Sequence, residues 1–315
     1  MTAVRIEGLH KSFGEVRALD GLTLNVESGT VFGFLGPNGA GKTTAIRILT
    51  GLARAGGGRA WVDGVEVVFR ASNRRQVAER IGYLPQEPAF YAWMTARELL
   101  DYVGQVFGLS GAERQARAQE LLELVGLEDA ARRRVGGFSG GMRQRLGVAQ
   151  ALVNRPQVLF LDEPVSALDP AGRKELLVLI EQLRGRCTVF MSTHILADVE
   201  RVCDTVGIIN RGKLVVQAPQ QELIERYATP AFEVEAESRF VEQLQAWAKT
   251  LRELSWVDSV AVEGSTARVL VSDVGMARRE LMAEAVQSGL ALTRYEMVRP
   301  SLEDVFLKLV NAEGA

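Results

Sequence analysis

The sequence predicts an α/β domain over residues 1–218 followed by a smaller α+β domain, and three observations predict it. Short apolar runs of buried-strand type alternate with amphipathic helical patterns through the first part. One of those runs is joined to one of those helices by a glycine-rich turn. After Pro219 the periodicity changes, and the remaining segments read β-α-β-β-α-β, the order of a ferredoxin-like sandwich.

Residues 3–8 and 22–27 alternate apolar and polar, the mark of half-buried strands, whereas Val31-Phe32-Gly33-Phe34-Leu35 is apolar throughout and reads as a buried strand. Beyond the glycine-rich turn, Ala45, Ile46, Ile48, Leu49 and Leu52 are spaced along one helix face, which meets breakers at Gly56-Gly57-Gly58. Residues 98–125 are helical with charged faces and two glycine interruptions; they read as a helical insertion of about 87–137. A helix over 140–153, a buried strand Val158-Leu159-Phe160-Leu161, a helix over 171–184 and a buried strand Thr188-Val189-Phe190-Met191 complete the pattern. Such alternation argues for a parallel sheet covered on both faces. Residues 219–231, with Thr229-Pro230, read as a linker to the domain 232–315. That domain reads as strand 232–236, helix 239–253, strands 257–262 and 267–272, helix 275–288, strand 291–297 and a short helix from Ser301.

The 315 residues are 47% apolar and 24% charged, a globular composition. Thirty-seven Lys plus Arg against thirty-nine Asp plus Glu leave no net positive field to draw the molecule onto nucleic acid. Cys187 and Cys203 have no metal-ligand spacing and form no disulfide framework. The start lacks the apolar stretch of a signal peptide, and no apolar run approaches the roughly 20 residues needed to span a bilayer. Any work at a membrane therefore needs other subunits.

The chemistry concentrates in Gly36-Pro37-Asn38-Gly39-Ala40-Gly41-Lys42-Thr43, which fits G-x-x-x-x-G-K-[ST] in the required setting between a strand and a helix. Glycines let successive N–H groups turn inward onto phosphate oxygens, and the helix start adds its positive dipole end. Lys42 would place a charge on the β and γ phosphates, and the Thr43 hydroxyl would ligate Mg²⁺, which prefers hard oxygen donors. Asp162-Glu163 ends the strand 158–161. Beside the phosphate loop, Asp162 can hold magnesium through its water shell while Glu163 faces the attacking water. Strand alternation sends neighbours to opposite sides, so both acids can serve one site only with distortion at the strand end.

Together with these, Phe138-Ser139-Gly140-Gly141-Met142, Gln86 in Tyr83-Leu84-Pro85-Gln86, Ser166-Ala167-Leu168-Asp169 and His194 in Ser192-Thr193-His194 stand in one order along the chain. Over residues 2–218 the sequence resembles the ATP-binding cassette (ABC) ATPases. The resemblance implies a P-loop NTPase cassette with a mixed sheet, an ATPase activity, and ATP and Mg²⁺ as ligands. It extends the phosphate contacts to Thr44 of GPNGAGKTT. It implies that Ser139, Gly140 and Gly141 close over ATP held by a second cassette, that Asp169 orders the seam, and that a dimer forms, a homodimer or a pair with a different ATPase. It further implies that Gln86 senses the metal, that His194 holds the γ-phosphate, and that Phe13 stacks on adenine, where many members carry Tyr. The signature ends in Met142.

Without a membrane span, the resemblance implies integral-membrane permease subunits as partners and a place at the cytoplasmic face of the membrane. The aromatic stretch after Gln86, with Pro88, Phe90, Tyr91, Trp93 and Met94, would receive the permease, and Thr95-x-x-Glu98 reads as a capping box. The tail Arg299-Pro300-Ser301-Leu302-Glu303-Asp304-Val305-Phe306 is similar to that of bacterial ABC-2 type exporters of the daunorubicin-resistance and sodium-extrusion kind. The alternative is a soluble ABC ATPase in translation or DNA maintenance. Against it stand the single cassette, the short segment between Lys42 and Ser139 and the charge balance. The absence of an Asn-Lys-x-Asp motif excludes a GTPase of the usual kind.

Overall fold

The computed structural model describes residues 1–227 and 230–298 together with Leu302, Val305 and Phe306. Thr229, and most of the tail 299–306 with the helix expected from Ser301, lie outside the described residues. The chain divides into two compact units, Met1–Gln220 and Gln221–Ala315.

In the first unit, β1 (Thr2–Phe13) and β2 (Val16–Glu27) form a long antiparallel hairpin. Val4, Ile6, Leu9, Leu22, Leu24 and Val26 point to one face and are buried, which is the alternation the sequence shows. β3 (Val31–Leu35) leads through the glycine-rich turn into α1 (Lys42–Leu49). The helix stops earlier than its pattern suggests: Thr50 caps it by donating to Ile46 O, and Leu52, expected on the apolar face, is 60% exposed. The glycines 57 and 58 do not follow a helix but open β4 (Gly57–Val62), which with β5 (Val65–Glu66) completes a sheet of order β2-β1-β4-β5. This sheet is separate from the parallel one that the sequence suggests, because β1 pairs with β2 and β4 and with no strand of the other sheet.

Then come α2 (Ala71–Ala78) and β6 (Ile81–Leu84). The insertion follows as α3 (Ala96–Val106) and α4 (Gly111–Leu124). Both helices open on capping boxes. Thr95 accepts from the Glu98 amide while Glu98 accepts from the Thr95 amide at 2.8 Å, and Ser110 with Glu113 repeats the arrangement. The remaining elements are α5 (Gly140–Ala151), β7 (Val158–Asp162), α6 (Pro170–Gln182), β8 (Thr188–Thr193), α7 (Leu196–Val202), β9 (Thr205–Asn210) and β10 (Lys213–Pro219). The second sheet has the order β10-β9-β3-β8-β7-β6. Its strands run parallel except β10, which returns antiparallel to β9, so the sheet is mixed. Its middle strands are apolar on both faces because both are covered, and Phe190 packs against Phe32, Phe34 and Phe160 at 5.1, 5.3 and 5.5 Å between centroids.

At the division between the units lies α8 (Gln220–Tyr227), a helix where the sequence suggests a linker; the Thr229-Pro230 signal marks only the end of that stretch. There follow β11 (Ala231–Ala236), α9 (Val241–Leu251), β12 (Val257–Glu263), β13 (Thr266–Val271), α10 (Val274–Gln287) and β14 (Leu292–Val298). The sheet β12-β13-β11-β14 is antiparallel throughout and, with both helices, makes the expected ferredoxin-like sandwich. Phe232, Val234, Leu244, Trp247, Leu251, Val269 and Leu281 form its core. Both cysteines, in the first unit, are buried; burial pushes the Cys187 thiol up to about 11 and that of Cys203 further.

One backbone approach holds β6 against α5. A Cβ at Gly82 would stand 2.1 Å from Ala151 O, closer than any side chain allows. Gly82→Ala should therefore destabilise the protein by about 1–3 kcal/mol, seen as a lower denaturant midpoint at unchanged m-value.

Candidate functional site

The site assembles at the carboxyl ends of β3, β7 and β8, where Leu35 lies opposite Thr193 and Asp162 opposite Ser192. This is where parallel sheets place ligands. Between β3 and α1 the chain must wrap tightly. Gly41 holds φ 108°, and a Cβ there would meet Ala18 O at 2.4 Å, so only glycine fits the start of α1. The turn leaves N–H groups at a helix N-terminus, a cradle for an anion.

Lys42 is 5% exposed, and its Nζ donates to Gly36 O at 2.7 Å and Pro37 O at 3.2 Å. It also pairs with Glu163 Oε1 at 3.2 Å, while Glu163 Oε2 meets His194 Nδ1 at 2.6 Å. Thr43 donates to Asp162 Oδ1 at 3.0 Å. A cleft of about 400 Å³ is lined by Asn38, Gly39, Gly41, Lys42, Thr43 and Thr44, together with Gln86, Glu163 and His194. Asp162 lies beneath it and reaches it through Thr43. Ala40 is turned inward, and its carbonyl accepts from Gly212 N.

The expected distortion at the strand end is present. Glu163 holds φ 48°, a left-handed conformation that costs a non-glycine residue about 1–3 kcal/mol. The excursion brings Glu163 round to the cleft that Asp162 also serves.

A second group of expected residues stands elsewhere on the unit. Ser139 caps α5, accepting from Met142 N, and Gly140 and Gly141 form its first turn. Asp169 caps α6, accepting from Gly172 N. The two helix starts touch: a Cβ at Gly141 would lie 3.8 Å from Gly172 Cα. None of these residues lines the cleft, nor does Phe13, which is 56% exposed at the end of β1 with Lys11 Nζ 4.9 Å from its ring centroid.

Sequence reasoning passed over four residues. Ala18 lines the cleft. Ser192 contacts Asp162 and the Glu163 amide. Gln144, buried in α5, donates to Gln86 O at 2.9 Å and so ties the helix that Ser139 caps to the Gln86 loop. Asp198, buried in α7, pairs with Arg173 at 2.7 Å; burial raises its pKa against the pull of that guanidinium and of His194. Burial and then the Asp162 carboxylate likewise push up the Tyr83 phenol.

The donors fit magnesium. A hydroxyl and a carboxylate converge at 3.0 Å and Gln86 lines the same cleft, residues that carry hard oxygen donors. Magnesium keeps several waters and uses few protein ligands, so a hydroxyl, a carboxylate and an amide are a set that suits it.

Residues 19–166 match the ABC transporter family, and residues 219–310 match the C-terminal domain of DrrA1-3-like ATP-binding proteins. The chain is 41% identical to the ABC transporter ATP-binding protein YxlF of Bacillus subtilis (strain 168), covering 98% of this chain and 99% of that one. It is 38% identical to the daunorubicin resistance ATP-binding protein DrrA2 of Streptomyces coeruleorubidus, covering 98% and 94%. It is 37% identical to the bacitracin transport ATP-binding protein BcrA of Bacillus licheniformis, covering 98% and 97%. Among solved structures, it is similar to a dimeric post-hydrolysis state of the ATP-binding cassette MJ0796 bound to ADP and Pi. The TM-score there is 0.62 at 26% identity, over 69% of this chain and 98% of that one.

Lys42→Ala should lower ATP affinity at least about ten-fold, because a buried charged donor is lost from the phosphate loop; titration with a fluorescent nucleotide measures it.

Proposed function

This chain belongs to the ATP-binding proteins of ABC transporters, and on that footing we propose that it powers export through separate transmembrane subunits, as a homodimer whose two ATP sites each draw on both copies. Its reaction is ATP hydrolysis coupled to transport, and proteins of this family work with transmembrane partners and dimerise. The observation that carries the composite site is the separation of two groups of residues. The cleft holds Lys42, Thr43, Gln86, Glu163 and His194, whereas Ser139, Gly140, Gly141 and Asp169 stand off it at two adjoining helix starts. A γ-phosphate in the cleft alone would face solvent; a second copy's α5 start laid over it supplies further N–H donors and excludes water.

Within the site, the loop from Gly36 to Thr44 cradles the phosphates, and Lys42 moves its Nζ from the Gly36 and Pro37 carbonyls toward them. Glu163 accepts the proton of the attacking water, and His194, bonded to its other carboxylate oxygen, fixes its orientation and reaches the γ-phosphate. Thr43, Asp162 and Gln86 would hold magnesium, which would offset charge on the phosphate oxygens. Phe13 offers its face to the adenine.

The exposed aromatics of the insertion support docking of the transmembrane partner there. Tyr91 lies 5.9 Å from Trp93 and 6.3 Å from Tyr102 between centroids, and Trp93 is 65% exposed. No helix among the described residues is long and apolar enough to cross a membrane. The chain would therefore sit at the cytoplasmic face through its permease. Relatives named for daunorubicin resistance, bacitracin transport and linearmycin resistance support export, and they favour a transporter over a soluble machine of translation or DNA maintenance.

Glu163→Gln should preserve ATP binding, slow hydrolysis about 10²–10⁴-fold and accumulate an ATP-dependent dimer in sedimentation. An ATP-saturated variant that stays monomeric at high concentration overturns the composite site.

A further inference from the structure

Two acids in succession at the end of a strand should face opposite ways, yet Asp162 and Glu163 both serve one cleft. They do so because the backbone leaves the strand at Glu163 with φ 48°, and something must hold it there. The holder is across the sheet. Ser192 of β8, fully buried, lies opposite Asp162 in the ladder. Its Oγ donates to Asp162 Oδ1 at 2.7 Å and accepts from the Glu163 amide at 3.0 Å. The Ser192 carbonyl lies 3.2 Å from the same amide.

The direction of the two hydroxyl bonds follows from the groups themselves. The Glu163 N–H can only donate, so it takes a lone pair, and the single hydroxyl proton is left for the carboxylate. One side chain thereby sets the orientation of the acid below the cleft and the backbone turn of the acid beside it. Asp162 Oδ1 then holds two hydroxyls, those of Ser192 and Thr43, which orients the whole carboxylate. Two residues further on, His194 closes on Glu163 Oε2 from the same strand end.

We infer that Ser192 is a positioning residue for ATP hydrolysis, the hydroxyl that aims Asp162 and Glu163 at separate tasks in one site. The inference rests on the role given to Glu163 above. A residue that only filled the core between β7 and β3 would need no hydroxyl; alanine would serve there as well. Ser192 does not line the cleft, so its hydroxyl acts on the site through Asp162 and the Glu163 amide rather than on the nucleotide directly.

The test is Ser192→Ala in the full chain, beside wild type and Glu163→Gln. A lost hydrogen bond to a buried charged group predicts kcat for ATP hydrolysis reduced about ten-fold or more, with fluorescent-nucleotide affinity measured without magnesium within about two-fold of wild type. Because closure is intact and cleavage slow, Ser192→Ala should also accumulate the ATP-bound dimer in sedimentation. Hydrolysis within about two-fold of wild type overturns the inference, as does a parallel loss of affinity, dimer and turnover with a lowered melting temperature. If Glu163→Gln is slow and trapped while Ser192→Ala runs at wild-type speed, only Ser192 loses its role. If Glu163→Gln itself turns over normally, the assignment of Glu163 fails and Ser192 falls with it.

Discussion

The buried pair of Lys42 and Glu163 is the interaction on which the site depends. A lysine ammonium and a carboxylate this far from water are tolerable only when each has further partners. Lys42 has two loop carbonyls and Glu163 has His194 and its backbone bonds to β8. The partners come from β3, β7 and β8, so the parallel order of those strands is what brings the charges together. The loop turn at Gly41 and the left-handed turn at Glu163 are two backbone costs accepted at the same place, which is where functional sites concentrate strain.

Around this centre the unit is built to keep distant groups in register. α5 carries Ser139 at its start, grips the Gln86 loop through Gln144, and accepts Leu84, Pro88 and Phe90 against Gly147. Gln86 lines the cleft and the aromatic surface of the insertion begins a few residues later. The Gln86 segment and the start of the insertion thus pack on the helix that Ser139 caps.

Much of this was legible in the sequence, and the residues show why. The strand at residues 31–35, the loop and α1 carry local signals: a continuous apolar run, glycines at fixed spacing and a helical period. The C-terminal sandwich was legible for the same reason, each of its elements having a clear period of its own. What was hidden depends on partners far along the chain. β1 and β2 form a sheet of their own through ladder pairing with β4, which their alternation does not specify. α2 buries little beyond Val77 and shows no apolar face to read. The cleft-lining residues Lys42, Thr43, Gln86, Glu163 and His194 stand in motifs visible along the chain, but Ser192 bonds residues 29 and 30 positions away and Gln144 one 58 away. A serine in a buried strand or a glutamine in a helix has no local pattern that announces its partner.

The deep burial of Cys187 and Cys203 also bears on how motion in this protein can be followed. Burial pushes both thiols up, toward the protonated and less nucleophilic form, which slows their reaction with alkylating dyes. A single surface cysteine introduced at the edge of the aromatic patch would then carry a fluorophore or spin label without first stripping the chain of its own sulfur, and opening and closing could be read as a change in distance.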